Sequence, residues 1–123
     1  ALQIKYVVTY VIKPKFEAKY PNIKDASFTI THGVGVDTGT VLAIRCGVRG
    51  SNDLIWIGRA PNLAAKLSDL REGEYESFIS DSVYKKLNAE AKFSEGNEMW
   101  EKREWIFLNE RRVVYRSSWH WEP

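Results

Sequence analysis

Cysteine and methionine each occur once in this 123-residue chain, as Cys46 and Met99, and histidine occurs twice, as His32 and His120. One thiol excludes an intrachain disulfide and cannot build a zinc site alone. Net charge is almost absent: 18 basic against 16 acidic residues leave +2. That is too little to argue for nucleic acid or an anionic membrane as a partner. No apolar run approaches the roughly 18 residues that a membrane-spanning helix needs, and no signal-peptide pattern opens the chain. The apolar stretch around Val7 is broken by Lys5 and Lys13 and reads as a buried helix. Common site motifs are missing too: there is no Walker loop, no Gly-x-Ser-x-Gly elbow, no His–Glu zinc pair and no complete dinucleotide fingerprint. Gly33-Val34-Gly35 supplies two glycines, but a strand continues after them, which argues against a phosphate cradle.

What remains is an ordinary folded composition, with 44% apolar and 28% charged residues. A chain this long buries roughly two-thirds of its unfolded surface in one core. These features predict a single soluble, cytoplasmic domain. The chain begins Ala1-Leu2-Gln3-Ile4, without an initiator methionine and already inside an amphipathic segment. That start is read as part of a longer polypeptide.

Hydrophobic spacing predicts a helix over residues 2 to 20, with Leu2, Val7, Tyr10 and Val11 as its buried stripe. Pro14 starts a new turn or kinks it, and Pro21-Asn22 stops it. The β-branched run Ser27 to Val36 suits a strand. Asp37-Thr38-Gly39-Thr40 is turn chemistry. A second strand follows from Val41 to Val48, in which Cys46 reads as a small core residue. Gly50-Ser51-Asn52-Asp53 marks a turn, and Leu54-Ile55-Trp56-Ile57 a short apolar strand. Pro61 to Leu70 is a helix whose apolar face is Leu63, Leu67 and Leu70, with Pro61 tolerated in its first turn. A strand over residues 75 to 79 leads to a helix capped at Ser80-Asp81. Glu98–Leu108 and Arg111–Trp119 are two strands around a turn at Asn109-Glu110. The tail Trp119-His120-Trp121 reads as packing on the sheet, and both histidines as structural. The succession predicts an α+β sandwich with helices on a mainly antiparallel sheet.

One stretch is more specific. Gly35-Val36-Asp37-Thr38-Gly39 is followed by Ile57-Gly58-Arg59-Ala60-Pro61-Asn62-Leu63-Ala64-Ala65-Lys66-Leu67, and then by Ile79-Ser80-Asp81-Ser82-Val83-Tyr84-Lys85-Lys86-Leu87. In order and spacing these phrases resemble the "GIHTG", "IGDTVNLAARL" and "VSEAVYEAL" phrases of class III nucleotidyl cyclase catalytic domains, in their C-terminal half. The resemblance covers roughly residues 30 to 90 and implies the ferredoxin-like cyclase fold, with residues 1–123 as a partial catalytic domain. It also implies a homodimer whose active sites lie between protomers and a nucleoside triphosphate as substrate.

The resemblance assigns roles to named positions. Asn62 would hold the ribose so that its 3′-oxygen can attack the α-phosphate, and Lys66 would meet the charge developing on the phosphates. Read from the residues alone, without the flanking match, the pair is an ordinary exposed lysine beside a helix-start asparagine. The family usually carries arginine at position 66; lysine keeps the charge but loses the bidentate fork. Seven residues before the asparagine, purine-using members place a residue that hydrogen-bonds the base. Here Ile55 can do no such thing, so the base is a different one or is read elsewhere. The phrase around Asn62 looks most like the pyrimidine cyclases of bacterial antiphage (Pycsar) systems, which make cyclic UMP or cyclic CMP as an infection alarm, so UTP or CTP is the expected substrate. Lys102 is a candidate triphosphate contact. The family's divalent metal, manganese or magnesium, is expected, but Asp25, Asp37, Asp53, Asp69 and Asp81 stand in neither of its metal-binding phrases, so no ligand for it is assigned. The alternative is a degenerate cyclase-homology module that dimerises or senses a nucleotide.

Overall fold

The computed structural model of the protein describes residues 1–25, 27–48 and 51–123. The predicted N-terminal helix forms, but in three parts: α1 (Leu2–Tyr6), a π-helical stretch (Val7–Ile12) and α2 (Lys13–Lys19). Pro14, in the first turn of α2, explains the interruption. It has no N–H to give, and its ring crowds the carbonyl of Tyr10, so the ordinary ladder cannot run through and a wider turn absorbs the misfit. The wider turn also rotates the buried stripe. Leu2 and Val8 are buried, while Tyr10 and Val11, expected inside, are exposed.

Where Pro21-Asn22 was expected only to end a helix, a short α3 (Asn22–Asp25) follows, and the strand expected over residues 27 to 36 shrinks to β1 (Val34–Val36). Beyond it, β2 (Leu42–Val48) and β3 (Ser51–Ile57) form an antiparallel hairpin in the register Leu42 opposite Ile57 and Ile44 opposite Ile55. Of the turn expected at Gly50-Ser51-Asn52-Asp53, Gly50 lies outside the described residues and the other three already belong to β3. Helix α4 (Arg59–Ser68) and strand β4 (Ser77–Ser80) come next. Helix α5 (Asp81–Lys86) is capped as expected: the Val83 N–H donates to Ser80 Oγ at 3.3 Å. A one-turn α6 (Ala89–Lys92) and a small hairpin of β5 (Phe93–Ser94) and β6 (Asn97–Glu98) were not expected. The closing strands are β7 (Glu101–Phe107) and β8 (Glu110–Ser117). Their two-residue turn is Leu108-Asn109, with φ of 51° and 62°, the left-handed pair that suits a tight hairpin.

Strands β1, β4, β8 and β7 form one sheet in that order, with β1 parallel to β4 and the other pairs antiparallel. The result is the expected mixed α and β architecture, mainly antiparallel, with helices on both faces of the sheet. On one face Leu63 and Leu67 of α4 bury against Phe78 and Val114. On the other, Leu2 packs with Ile79, Met99 and Trp100, and Val83, Tyr84 and Leu87 close over them. Of the C-terminal tail, expected to pack on the sheet, Trp119 lies against this second cluster, whereas the exposed His120 sits 5.1 Å from the Tyr10 ring of the N-terminal helical segment and Trp121 is exposed.

The glycines of Gly33-Val34-Gly35 seat α4 on the sheet. A Cβ on Gly35 would stand 2.0 Å from the Ala64 carbonyl oxygen and 2.5 Å from the Ser68 nitrogen, and one on Gly33 would stand 2.2 Å from the Ser68 oxygen. Only glycine lets the helix backbone lie this close to β1.

A second anchor is ionic. Glu72 receives Arg116 at 2.6 Å and Arg103 at 3.0 Å, and Arg116 also donates to Glu101 at 2.6 Å while lying 3.9 Å over the Tyr75 ring. Burial pushes the Glu72 carboxyl up, but the two guanidinium groups outweigh burial and hold it below its usual 4.5. A carboxylate depressed in the folded state contributes stability above its unfolded pKa and loses it as pH falls through the folded value. Denaturation midpoints should therefore fall between about pH 5 and pH 3, and Glu72→Gln should flatten that fall. An unchanged profile in Glu72→Gln would remove the network as its cause.

Cys46 is exposed, contrary to the core position expected for it. The hairpin that carries it is outside the main sheet, and no layer of the described residues covers it.

Candidate active site

The geometry of α4 determines what it can present. Successive residues turn by about 100° and rise about 1.5 Å, so Ala60, Leu63 and Leu67 share the buried side. Asn62 and Lys66, four residues apart, stack on an exposed ridge. Neither side chain makes a hydrogen bond or ion pair with another described residue. The amide and the ammonium are thus solvated and free, on a helix whose opposite side is locked to β1 by the glycine contacts and to the sheet by Leu63 and Leu67. A rigid helix with two unengaged polar groups on one ridge can bind a ligand without reorganising. Arg59 occupies the same ridge, three residues before Asn62. Sequence reasoning passed over it, although the spacing of 59, 62 and 66 was readable.

The loop leading to the hairpin is held from below. Ser80 Oγ donates to Asp37 Oδ1 at 2.5 Å, and Lys86 Nζ donates to Thr38 Oγ1 at 3.3 Å. The hairpin has two unlike sides. Leu42, Ile44, Ile55 and Ile57 share one, and Ala43, Arg45, Leu54 and Trp56 share the other. Ile55 is 44% exposed, in the middle of the apolar side.

Lys102 is placed differently. It lies opposite Tyr115 in the β7–β8 register, on the sheet face occupied by Ile79, whereas α4 covers the face of Phe78 and Val114. Within one chain the fold does not bring Lys102 together with Asn62 and Lys66. Metal ligands are not assembled either: among the described residues no three His, Cys, Asp or Glu side chains are grouped to hold an ion. Asp37 is engaged by Ser80, and Asp81 pairs with Lys85 at 2.5 Å. A divalent cation therefore does not fit on the described side chains alone. The histidines serve elsewhere, His120 against Tyr10 and a half-buried His32 whose pKa is held down by burial.

Comparison with known proteins sharpens this picture. No protein-family model matches the chain. It is 53% identical over its whole length to a uridylate cyclase of Rhodovulum sp. (strain MB263), covering 52% of that protein. It is 45% identical to a uridylate cyclase of Xanthomonas perforans and 38% identical to one of Burkholderia cepacia, each over 98% of this chain. The chain spans about half the length of these curated relatives: 52%, 50% and 49%. Along its whole length, then, this chain is similar to about half of each of three proteins named uridylate cyclase.

Proposed function

We propose that this chain is the part of a pyrimidine nucleotide cyclase that carries Asn62 and Lys66, and that the intact enzyme converts UTP to 3′,5′-cyclic UMP and pyrophosphate. The observation that carries the reading is the free Asn62–Lys66 ridge, in a chain similar throughout to uridylate cyclases. Asn62 holds the ribose with its 3′-oxygen in line with the α-phosphorus. The 3′-hydroxyl gives up its proton to solvent as its oxygen attacks the α-phosphorus, the bond from that phosphorus to the α,β-bridging oxygen breaks, and Lys66 meets the charge that accumulates on the departing pyrophosphate. No part of this step is assigned to a metal, because the expected manganese or magnesium ion finds no ligand set among the described residues.

The fold is read as the C-terminal portion of a class III cyclase domain, and its active site as shared between two protomers. The apolar side of the hairpin supports the pairing: Leu42 is 61% and Ile57 50% exposed, and neighbouring apolar side chains left in water favour burial against another surface. A second copy offers the same apolar strip. Cys46 shares that side, opposite Asp53, and reports on the pairing. Its thiol should react quickly with a disulfide reagent in dilute protein and slowly once the dimer forms. Equal rates at all concentrations would exclude this face as the interface. Lys102, on the other sheet face, would then contact triphosphate only through the geometry of the pair. No helix among the described residues is long and apolar enough to cross a membrane, and we place the enzyme in the cytoplasm, with its triphosphate substrate. Its product would serve as the antiviral signal that the resemblance implies.

The test is a product assay on the intact polypeptide with manganese and each of the four nucleoside triphosphates. Cyclic UMP and pyrophosphate in equal amounts from UTP are expected. Cyclic CMP from CTP alone would revise the base, and no product from any nucleotide would leave a non-catalytic cyclase-homology module.

A further inference from the structure

Resting on the cyclase reading, we infer that Arg59 is the residue of this chain that recognises the pyrimidine, by donating to the C4 carbonyl oxygen of uracil. Position 55, where a base contact would be sought, holds an isoleucine with no hydrogen-bonding group, so the base must be read by something else. Arg59 opens α4 on the ridge that carries Asn62 and Lys66. From the helix rise, the three side chains leave the axis about 4.5 Å and about 6 Å apart. With Lys66 at the phosphates and Asn62 at the sugar, the next place along the ridge, on the far side of the sugar from the phosphates, belongs to the base.

The state of Arg59 supports the assignment. Among the described arginines, Arg71 is bonded to backbone carbonyls, and Arg103, Arg111, Arg112 and Arg116 are paired with glutamates. Among the described residues only Arg45 and Arg59 are arginines with no hydrogen bond or ion pair, and Arg45 lies on the hairpin, off the ridge. A guanidinium only donates. Uracil and cytosine share the C2 carbonyl oxygen and differ at C4, where uracil has a carbonyl oxygen and cytosine an amino group, which faces a donor with a donor. Arg59 therefore favours UTP over CTP.

Steady-state kinetics of the intact enzyme with UTP and CTP, for wild type, Arg59→Ala and Arg59→Gln, test this. In Arg59→Ala, kcat/KM for UTP should fall roughly tenfold or more while that for CTP changes little. In Arg59→Gln, whose amide oxygen can accept from the cytosine amino group, the preference should move further toward CTP. Because the side chain is exposed and unpaired, thermal midpoints should match wild type. Equal losses for both substrates would assign Arg59 to the phosphates or the fold, and no loss would make it a bystander; either overturns the inference while leaving the cyclase reading intact. A wild-type enzyme that cyclises neither nucleotide would overturn both.

Discussion

Replacing Gly35 with alanine should destabilise the fold by about 3 kcal/mol or more, at the upper end of what overpacking costs. The reason lies in what the new methyl group would meet. Two of its nearest neighbours are backbone atoms of α4, the Ala64 oxygen at 2.0 Å and the Ser68 nitrogen at 2.5 Å, and the third is the Leu67 Cβ at 2.8 Å. None is the far end of a flexible side chain that could swing aside. The helix must back away from β1, and Leu63 and Leu67 must withdraw from Phe78 and Val114 as it goes. A drop in the thermal midpoint on the order of 10 °C is expected. The displaced helix would carry Arg59, Asn62 and Lys66 with it, so turnover should fall even below the melting range. Gly73 is the control, since a Cβ there would meet nothing within 4 Å. Its φ of 63° makes Gly73→Asn the gentler substitution there, because asparagine tolerates that backbone. A Gly35→Ala protein as stable as wild type would mean that α4 does not lie on β1 at this distance.

The second large effect concerns rate. Lys66→Ala should lower turnover of UTP by roughly a hundredfold to a thousandfold, the usual cost of removing one group that stabilises charge only in the transition state. KM should change little, because the ammonium matters most as the pyrophosphate leaves. Lys66→Arg should retain activity, since it keeps the positive charge and adds a fork that fits phosphate oxygens. Asn62→Ala should lower kcat about a hundredfold for a different reason: a sugar held loosely presents its 3′-oxygen out of line. Both side chains are exposed and have no partner among the described residues, so circular dichroism and thermal midpoints should match wild type. Activity lost together with stability would assign the effect to folding.

Much of the fold was legible because local chemistry and tertiary packing agree. Ser80 reads as a helix cap and is one, and Leu63 and Leu67 read as a buried face and are one. The misses have physical causes. At Pro14 a local rule was recognised, but its outcome, a π-helical turn, was not, and the phase of the buried stripe was lost with it. Cys46 and Ile55 were read as strand residues of ordinary burial, because alternation shows that a strand has two sides but not whether either side is covered. This hairpin has its apolar side open among the described residues. The packing role of Gly33 and Gly35 depends on a helix some thirty residues later that no local pattern could place.

The site was legible in part. Spacing alone put Asn62 and Lys66 on one ridge, and α4 confirms their placement. Lys102 depended on position along a strand, and strand parity sets it on the opposite face of the sheet. Arg59 shares the ridge by the same helical arithmetic, three residues before the asparagine, but the resemblance assigns no role to that position.

The most direct test is a structure of the intact protein with a non-cyclisable UTP analogue, read for the distances from Asn62 and Lys66. The Asn62 amide should lie within about 3 Å of a ribose oxygen and Lys66 Nζ within about 3 Å of a phosphate oxygen, on a nucleotide enclosed between two protomers. A nucleotide bound elsewhere, with the α4 ridge open to solvent, would contradict the assignment of this helix to catalysis.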